Sequence, residues 1–289
     1  RHALLAENPG FTPLVFDLAE PGRLATALAE HQPEVVVHLA AQAGVRYALE
    51  HPESYIHNNV IATYTLLEAC RQQPPKHLLM ASTSSAYGAN TAMPFREVDA
   101  VATPLNIYAA TKMATESIGH SYAHLWHQPI TMFRFYTVYG PWGRPDMAFF
   151  KFTDAILRGR PIDIYNHGRM ERDFTYVDDL VEAIDKLIPC IPVAGQAVAP
   201  SDSVSAVAPF RVVNIGNAVP VQLLDFIAEI ERATGRPAIR NMLDMQPGEV
   251  LKTWADSTLL QALTGYRPTT GIGPGIDAFV AWFRDYYRL

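Results

Sequence analysis

The chain has 289 residues, of which 49% are hydrophobic and 18% are charged, and its formal net charge is −6. This composition is typical of a globular protein and excludes an intrinsically disordered chain. The length is enough for one large domain or two smaller ones. The negative net charge gives no reason to expect a nucleic-acid partner.

The two cysteines, Cys70 and Cys190, are far apart in the sequence and form no CxxC pattern. A disulfide framework and a zinc site are therefore not expected, which fits a reducing cytosol. No apolar run approaches the ~18 residues that a membrane-spanning helix needs. The first residues also lack the form of a signal peptide. We therefore expect a cytoplasmic enzyme with no metal and no membrane partner.

Short apolar runs alternate with helical stretches through the first half of the chain. Strands are predicted at 14–16, 35–39, 77–81 and 130–135, and helices at 23–30, 54–71 and 107–126. Asn106 is available as the N-cap of the last of these helices. Continuous apolar strands separated by helices predict a doubly wound α/β fold, with a parallel sheet covered on both faces.

After Gly140 proline and glycine become frequent, and the predicted strands become shorter. This change predicts a second, smaller lobe. The segment 193–209 is rich in Ala, Val, Ser and Pro, which predicts a surface loop, and a further strand is predicted at 210–215. Ligands of parallel α/β sheets bind outside the carboxyl ends of the strands, so functional residues are expected there.

The strongest local pattern is Tyr108-Ala-Ala-Thr-Lys112 at the start of the predicted helix 107–126. The i, i+4 spacing places Tyr108 and Lys112 on one helix face. A free tyrosine, with a pKa near ~10, is a poor base at neutral pH, and a nearby ammonium group lowers that pKa. The pair is a candidate proton shuttle for an alcohol, although the pattern alone more often marks two ordinary residues on a helix.

A cluster of hydroxyl groups, Ser82-Thr83-Ser84-Ser85, follows the predicted strand 77–81. Taken alone, the cluster is equally consistent with a polar turn that closes a strand. With Tyr108 and Lys112 further along the chain, a Thr/Tyr/Lys constellation at a strand end accounts for it better.

The segments STSSAYG, YAATK, FRFYTVYGPWGRPDMA and RDFTYVDDL together resemble the NAD-dependent epimerase/dehydratase family of extended short-chain dehydrogenases. HLAAQAGVRYALEHPESYIHNNV and PFRVVNIGN are similar to the UDP-glucuronate 4-epimerases within it. The resemblance extends across essentially the whole chain. It implies a Rossmann-type fold, NAD as cofactor, and 4-epimerisation of UDP-glucuronate to UDP-galacturonate through a transient 4-keto sugar. It also implies a homodimer joined by a four-helix bundle.

The resemblance further implies a division of the chain. Residues 1–138, with return segments around 173–216, correspond to the NAD-binding domain, and 139–172 with 217–289 correspond to the nucleotide-sugar-binding lobe. The family begins with a strand and a GxxGxxG-type turn that holds the NAD pyrophosphate, and no such motif occurs in this sequence. We expect the natural protein to contain this first βαβ unit, so NAD binding by the 289-residue chain alone stays open.

Individual roles follow from the same resemblance. Tyr108 resembles the catalytic base, Lys112 its partner and ribose ligand, and Thr83 the hydroxyl that shares the sugar O4. The positions that match cofactor contacts are Asp17, Leu18, Leu39, Ala40, Ala41, Asn59, Tyr136 and Val138. The positions that match substrate contacts are Thr137, Arg144, Ile164, Tyr165, Asn166, Arg172, Gln246 and Glu249. The family usually has Asp where Glu249 stands.

The residue types at the positions of Ser84 and Ser85 differ between the activities found in the family. Dehydratases of the family carry an acid pair at these positions, and decarboxylating relatives carry a glutamate. Without an added acid or base, the simplest fate of the keto sugar is rotation and reduction from its other face. Arg144 offers a bidentate fork for the sugar carboxylate, and the two serines can add hydroxyl donors. Holding that carboxylate suppresses loss of CO2 from the 4-keto uronate.

Three alternatives remain open at the level of the sequence. Two are enzymes, a UDP-glucose/UDP-galactose 4-epimerase and a UDP-glucuronate decarboxylase. The third is a catalytically silent scaffold that binds a sugar nucleotide, against which the intact Thr83, Tyr108 and Lys112 argue. His120, His124 and His127 have no carboxylate or cysteine companions, so they are not expected to bind a metal. A role in polysaccharide biosynthesis is a further hypothesis from the resemblance.

Overall fold

The predicted alternation of strands and helices is present in the structure, a computed structural model that describes residues 1–45, 47–245 and 251–289. The strands are β1 Val35–His38, β2 His77–Ala81, β3 Ile130–Phe135, β4 Thr137–Tyr139, β5 Pro161–Ile164, β6 Glu171–Tyr176, β7 Phe210–Ile215, β8 Pro220–Gln222, β9 Ile239–Met242 and β10 Lys252–Thr253. The α-helices are α1 His2–Leu5, α2 Arg23–His31, α3 Tyr47–Glu50, α4 Pro52–Tyr55, α5 Ala62–Gln72, α6 Ile107–Trp126, α7 Ala148–Leu157, α8 Val177–Leu187, α9 Leu223–Thr234, α10 Thr258–Thr264 and α11 Ile272–Tyr287. A π-helix spans Ile56–Ile61, and 3-10 helices span Ser84–Tyr87 and Tyr165–Gly168.

The first sheet is parallel throughout and has the strand order β1-β2-β3-β7. Every residue of β2 and β7 is buried. Apolar side chains of α2, α5 and α6 pack on one face of the sheet, and those of α8 and α10 pack on the other. The prediction of a doubly wound α/β fold, made from the continuous apolar strands, is therefore confirmed.

The predicted strand at 14–16 is wrong, because this segment forms no regular structure. A strand needs a neighbour for its backbone hydrogen bonds, and among the described residues β1 pairs only with β2. Leu14 and Val15 are instead 51% and 84% exposed. Apolar β-branched composition alone was thus insufficient to predict a strand here.

The predicted helix at 54–71 is interrupted, because the π-helix Ile56–Ile61 lies between α4 and α5. The i→i+5 bonds of a π-helix rotate the side chains relative to a regular α-helix. Asn59 points into the protein and is fully buried, whereas Ile56 and Ile61 are exposed. The other predicted helices are confirmed, and Asn106 caps α6 by accepting a hydrogen bond from Ala109 N at 2.8 Å.

A second group of strands lies around β6, which pairs in parallel with β4 and β10 and antiparallel with β8. β5 and β9 form a separate parallel pair. Helices α7, α9 and α11 pack here around a core rich in phenylalanine, in which the rings of Phe174 and Phe226 stack at 4.1 Å. The predicted division into lobes stays a prediction; α10, which that division assigns to the smaller lobe, packs against the first sheet through Leu259 and Leu260.

The segment 193–209 has no helix or strand, as predicted, and is fastened to the first sheet. Asp202 forms a buried ion pair with Arg211 of β7 at 2.9 Å. His120 Nε2 lies 2.8 Å from Ser205 Oγ, and His124 Nδ1 lies 2.8 Å from Val207 O. These two histidines therefore hold the loop. No group of three or more potential metal ligands occurs within the described residues.

Among residues 1–45, 47–245 and 251–289, no helix is both long enough and apolar enough to cross a lipid bilayer.

Candidate active site

The hydroxyl cluster lies where β2 ends. The 3-10 helix Ser84–Tyr87 begins directly after Thr83, whose Oγ1 accepts a hydrogen bond from Ser85 N at 3.1 Å. This capping bond turns the chain away from the sheet and fixes the Thr83 side chain. Because the oxygen of Thr83 accepts this bond, its hydroxyl hydrogen remains available for donation. Ser84 and Ser85 are partly exposed beside it.

Tyr108 lies in the first turn of α6, and its hydroxyl hydrogen-bonds with the Thr83 side chain. Burial raises the pKa of Tyr108, while the Thr83 bond and the charge of Arg144 act in the opposite direction. Lys112, one turn further on, is 3% exposed, and burial lowers its pKa to about 8 against the opposing effect of the Glu116 carboxylate. The structure therefore brings together the three residues of the predicted catalytic group.

A buried ion pair lies behind Lys112 and was missed in the sequence. Arg134 of β3 donates to Glu116 of α6 through Nε at 3.0 Å and through Nη2 at 2.7 Å. Ser82 also donates to the Glu116 carboxylate. The pair is well compensated, as a charge buried without a partner would be costly. Two signals mark it in the sequence: an arginine inside an apolar strand, and a glutamate one turn after Lys112.

The turn after β1 carries Leu39, Ala40 and Ala41, all of which are exposed at the carboxyl end of the strand. Asn59 of the π-helix fastens the next residue: its Oδ1 accepts from Gln42 N at 2.7 Å, and its Nδ2 donates to Gln42 O at 3.1 Å. Nδ2 also lies 3.0 Å from Thr111 Oγ1 of α6. Asn59 thus connects the turn after β1 to α6.

Asp17 lies next to the π-helix. Its Oδ2 lies 2.8 Å from His57 Nε2, and its Oδ1 accepts from Ala19 N at 2.9 Å. The hydrogen bond with His57 lowers the pKa of the Asp17 carboxyl group. The neighbouring Leu18 packs against the core of the first sheet. Sequence reasoning found Asp17 but not His57.

Arg144 lies beside the catalytic group, in the loop between β4 and α7. Its charge acts on the hydroxyl groups of Tyr108 and Tyr55, whose rings are 6.1 Å apart. Tyr55 donates to the carbonyl oxygen of Gly44. The guanidinium group is paired with Asp146, with Nε and Oδ1 3.0 Å apart. Tyr55, Gly44 and Asp146 belong to this site and were not identified from the sequence.

Three further residues of the predicted site follow β3 directly in the chain. Tyr136 is buried, and its hydroxyl group has no hydrogen-bond partner among the described residues. Thr137 and Val138 are half-buried beside it. An orphaned buried hydroxyl is unusual in a folded protein.

The remaining predicted substrate contacts lie around β5 and β6. Ile164 is fully buried in the core, so only its neighbours Tyr165 and Asn166 have side chains at the surface. Arg172 Nη1 donates to Glu171 O at 2.9 Å and to Leu251 O at 3.0 Å. Gln246 and Glu249 lie outside the described residues.

Asp173, next to Arg172, joins three segments at the base of this region. Its carboxylate accepts hydrogen bonds from the backbone amides of Asn217 at 2.8 Å, Ala218 at 3.0 Å and Ala255 at 3.1 Å. The side chain is fully buried. The turn between β7 and β8, which holds Asn217 and Ala218, and the segment that holds Ala255 are therefore anchored to β6.

A parallel α/β sheet with a Thr–Tyr–Lys group at its carboxyl edge is the arrangement expected of a dehydrogenase-type site. The family model described as NAD dependent epimerase/dehydratase family matches residues 3–192. The chain belongs to this family, as the sequence motifs predicted.

Individual relatives agree with the family match. The chain is 52% identical over 291 residues to the probable UDP-glucuronate 4-epimerase of Rhizobium meliloti, with 100% of this chain and 85% of the relative covered. The crystal structure of UDP-glucuronic acid 4-epimerase from Bacillus cereus, in complex with UDP-glucuronic acid and NAD, superposes with a TM-score of 0.86 at 32% identity, covering 99% and 85% of the two chains. The UDP-glucose 4-epimerase of Thermotoga maritima with UDP-glucose gives 0.82 at 26% identity, covering 94% and 84%.

Proposed function

We propose that the protein is an NAD-dependent nucleotide-sugar 4-epimerase that interconverts UDP-glucuronate and UDP-galacturonate. The observation that carries the proposal is the position of the Arg144 guanidinium group beside Tyr108, with Ser84 and Ser85 in place of an acid. Relatives named UDP-glucuronate 4-epimerase, one of them solved with UDP-glucuronic acid and NAD, support it.

The residues around the turn after β1 fit NAD. The exposed turn Leu39–Ala41 has two alanines, so a flat ligand can approach the backbone closely. Asp17 suits the adenosine end, and the buried Lys112 suits the ribose hydroxyls. When bound, NAD+ supplies the oxidant for C4 of the sugar and, once reduced, the reductant that restores it.

The protein's own residues move one proton. Tyr108 takes the proton of the sugar O4 as C4 is oxidised, and it returns the proton after the keto sugar has rotated to present its other face. Thr83, which hydrogen-bonds with Tyr108, shares O4 and directs its proton towards the tyrosine oxygen. The Lys112 ammonium favours the phenolate form of Tyr108, which offsets the opposing effect of burial.

The neighbours of the sugar C6 group decide what the keto intermediate does. Ser84 and Ser85 are too weakly acidic to drive elimination of water. Arg144 binds the C6 carboxylate as a planar, permanently charged fork. Tyr165, Asn166 and Arg172 serve the nucleotide end, with Arg172 at the diphosphate. Thr137 contacts the sugar, and Gln246 and Glu249 complete the substrate loop.

We infer further that the protein is a homodimer that acts in the cytoplasm. Exposed apolar side chains of the α5 and α6 region, Ile61, Tyr64, Leu125 and Trp126, support a helical interface. The two free cysteines support a reducing compartment.

Incubation with UDP-glucuronate and NAD+, followed by chromatography of the sugar nucleotides, tests the activity. We expect UDP-galacturonate without released CO2, and loss of roughly 10²–10⁴-fold in rate for Tyr108→Phe, in line with removal of a general base. A decarboxylated pentose product would make the protein a decarboxylase. Turnover of UDP-glucose alone would contradict the role of Arg144, and binding without turnover would make the protein a scaffold.

A further inference from the structure

The loop that carries Arg144 is a tight turn with a second charged side chain in it. Met147 N donates to Arg144 O at 3.2 Å, which places Pro145 and Asp146 at the centre of the turn. Proline is favoured at the first of these two positions because its φ angle is already fixed near the value required. The turn therefore holds Arg144 and Asp146 close together without any ligand.

The two side chains meet along one edge of the guanidinium group. Arg144 Nε lies 3.0 Å from Asp146 Oδ1, and Nη2 bonds to the other carboxylate oxygen. Within the described residues the hydrogen bonds of Arg144 use Nε and Nη2, so the Nη1 edge is left for a second carboxylate. The hydrogen bond to Arg144 lowers the pKa of Asp146, which keeps this carboxyl group ionised at neutral pH.

The same edge of the guanidinium group also lies close to the main chain at Gly44. Nη2 lies 3.6 Å from the position that a Cβ atom would occupy at Gly44, and Tyr55 Oη lies 3.7 Å from that position. Gly44 has a backbone φ angle of +112°, which residues other than glycine rarely adopt. Asp146, Gly44 and Tyr55 thus lie together around the Nη2 edge of Arg144, and the bidentate pair with Asp146 defines the orientation of the guanidinium group.

We propose that Asp146 is a positioning residue, which holds Arg144 so that its Nη1 edge meets the C6 carboxylate of the sugar. This inference rests on the proposed epimerase function. Asp146 also brings a negative charge near a negatively charged substrate, so a competing role as an inhibitor of carboxylate binding must be distinguished from it. The two roles predict opposite effects on the fate of the keto intermediate.

The intermediate of a uronate epimerase is a β-keto acid. If rotation about the C4–C5 ring bond aligns the C5–C6 bond with the C4 carbonyl π system, the C5–C6 bond breaks, and CO2 leaves. The electron pair passes into the C4 carbonyl group as an enolate, and C5 then takes a proton to give a 4-keto pentose. A firmly oriented Arg144 prevents the rotation. Asp146 therefore controls how the intermediate divides between epimerisation and decarboxylation.

The test compares Asp146→Ala and Asp146→Asn with the unchanged protein, each with NAD+ and UDP-glucuronate labelled at C6. UDP-galacturonate and trapped CO2 are measured together. We expect the CO2 fraction to rise about fivefold or more for the alanine variant. The asparagine variant, which keeps one acceptor oxygen, should show a smaller rise. Asp154→Asn serves as the matched control, because Asp154 forms a comparable ion pair with Arg158 at 2.7 Å on α7.

A double variant shows whether Asp146 acts through Arg144. Asp146→Ala should add nothing to the CO2 fraction of Arg144→Ala. Thermal melts check that each variant is folded; the pair is half-exposed and contributes little to stability. An unchanged CO2 fraction, or a lower one with a lower KM, would overturn this inference alone. Failure of the unchanged protein to form UDP-galacturonate would overturn the proposed function and this inference with it.

Discussion

The ammonium group of Lys112 is buried one helical turn after Tyr108, and burying this charge opposes folding. Its pKa is lowered to about 8 in the folded protein, from 10.5 for a free lysine. Below pH 8 both states carry the proton, and the cost of burying the charge is fully present. Between about pH 8 and 10.5 the unfolded chain binds more protons, so this cost falls as the pH rises. The buried Lys112 ammonium group therefore lowers the free energy of unfolding at neutral pH.

Replacing Lys112 with methionine should therefore stabilise the protein and inactivate it. We expect a gain of about 1–3 kcal/mol in the free energy of unfolding at pH 7. The gain should disappear above about pH 10.5, and epimerisation should be lost. Urea melts at several pH values measure the first effect. A methionine variant that is less stable than the unchanged protein at pH 7 would contradict the argument.

Glu97 is a second buried titratable side chain, for which burial raises the pKa from 4.5 to about 7. Its Oε1 accepts a hydrogen bond from Asn214 N at 2.8 Å. Between about pH 4.5 and 7 the folded state holds a proton that the unfolded chain has lost. The contribution of Glu97 to stability therefore falls as the pH rises through this window.

Glu97→Gln should remove this pH dependence while keeping the hydrogen bond. We expect the variant and the unchanged protein to be about equally stable near pH 4, and the variant to be more stable by about 1–3 kcal/mol at pH 8. Buried His38, with its pKa lowered to about 4, contributes the opposite slope to both proteins, so it cancels in the comparison. Parallel stability curves for the two proteins would refute the assignment.

At the scale of the element, α6 connects fold and chemistry, because Tyr108 lies directly behind its cap. Asn106→Ala should lower the free energy of unfolding by about 1 kcal/mol. It should also reduce the epimerisation rate by more than the lost stability explains, since the first turn holds Tyr108 against Thr83. Asn106→Asp, which preserves a cap, is the control. Equal rates for all three proteins would show that the cap has no catalytic effect.

The elements that local patterns determine were predictable. α2, α6 and the four central strands follow from periodicity and capping, and the Tyr108–Lys112 pair follows from helix spacing alone. The π-helix was not predictable, because the insertion leaves the apolar pattern unchanged and is fixed by the contacts of Asn59. The run 14–16 had the composition of a strand, but no local signal reports whether a neighbour exists.

The same distinction applies to the site. Arg134 and Glu116 are separated by the second half of α6, a turn and the first part of β3, and only the folded sheet brings them together. Asp146 lies two residues from Arg144, yet its role depends on how the turn directs both side chains. Resemblance supplied the positions of further site residues, and their contacts with ligands stay predictions.

At the scale of the whole molecule, the exposed apolar stripe on α5 and α6 offers a test of assembly. Tyr64 is 52% exposed, and the neighbouring Ile61 is 43% exposed. Tyr64→Glu places a charge in the proposed interface and should convert dimer to monomer at micromolar concentration. Sedimentation velocity measures the change, and Glu182→Gln is the control, at an exposed position of α8 on the opposite face of the first sheet. A monomeric unchanged protein would refute the proposed dimer.

The hydrogen bonds of the Asp173 carboxylate predict which backbone amides exchange with solvent together. The amide hydrogens of Asn217, Ala218 and Ala255 are all bonded to this one side chain, although they come from separate segments. Deuterium from solvent reaches such hydrogens only when the bonds break. The three amides should therefore exchange with closely similar protection factors, and Asp173→Asn should lower all three. We therefore expect the two segments that carry these amides to open together.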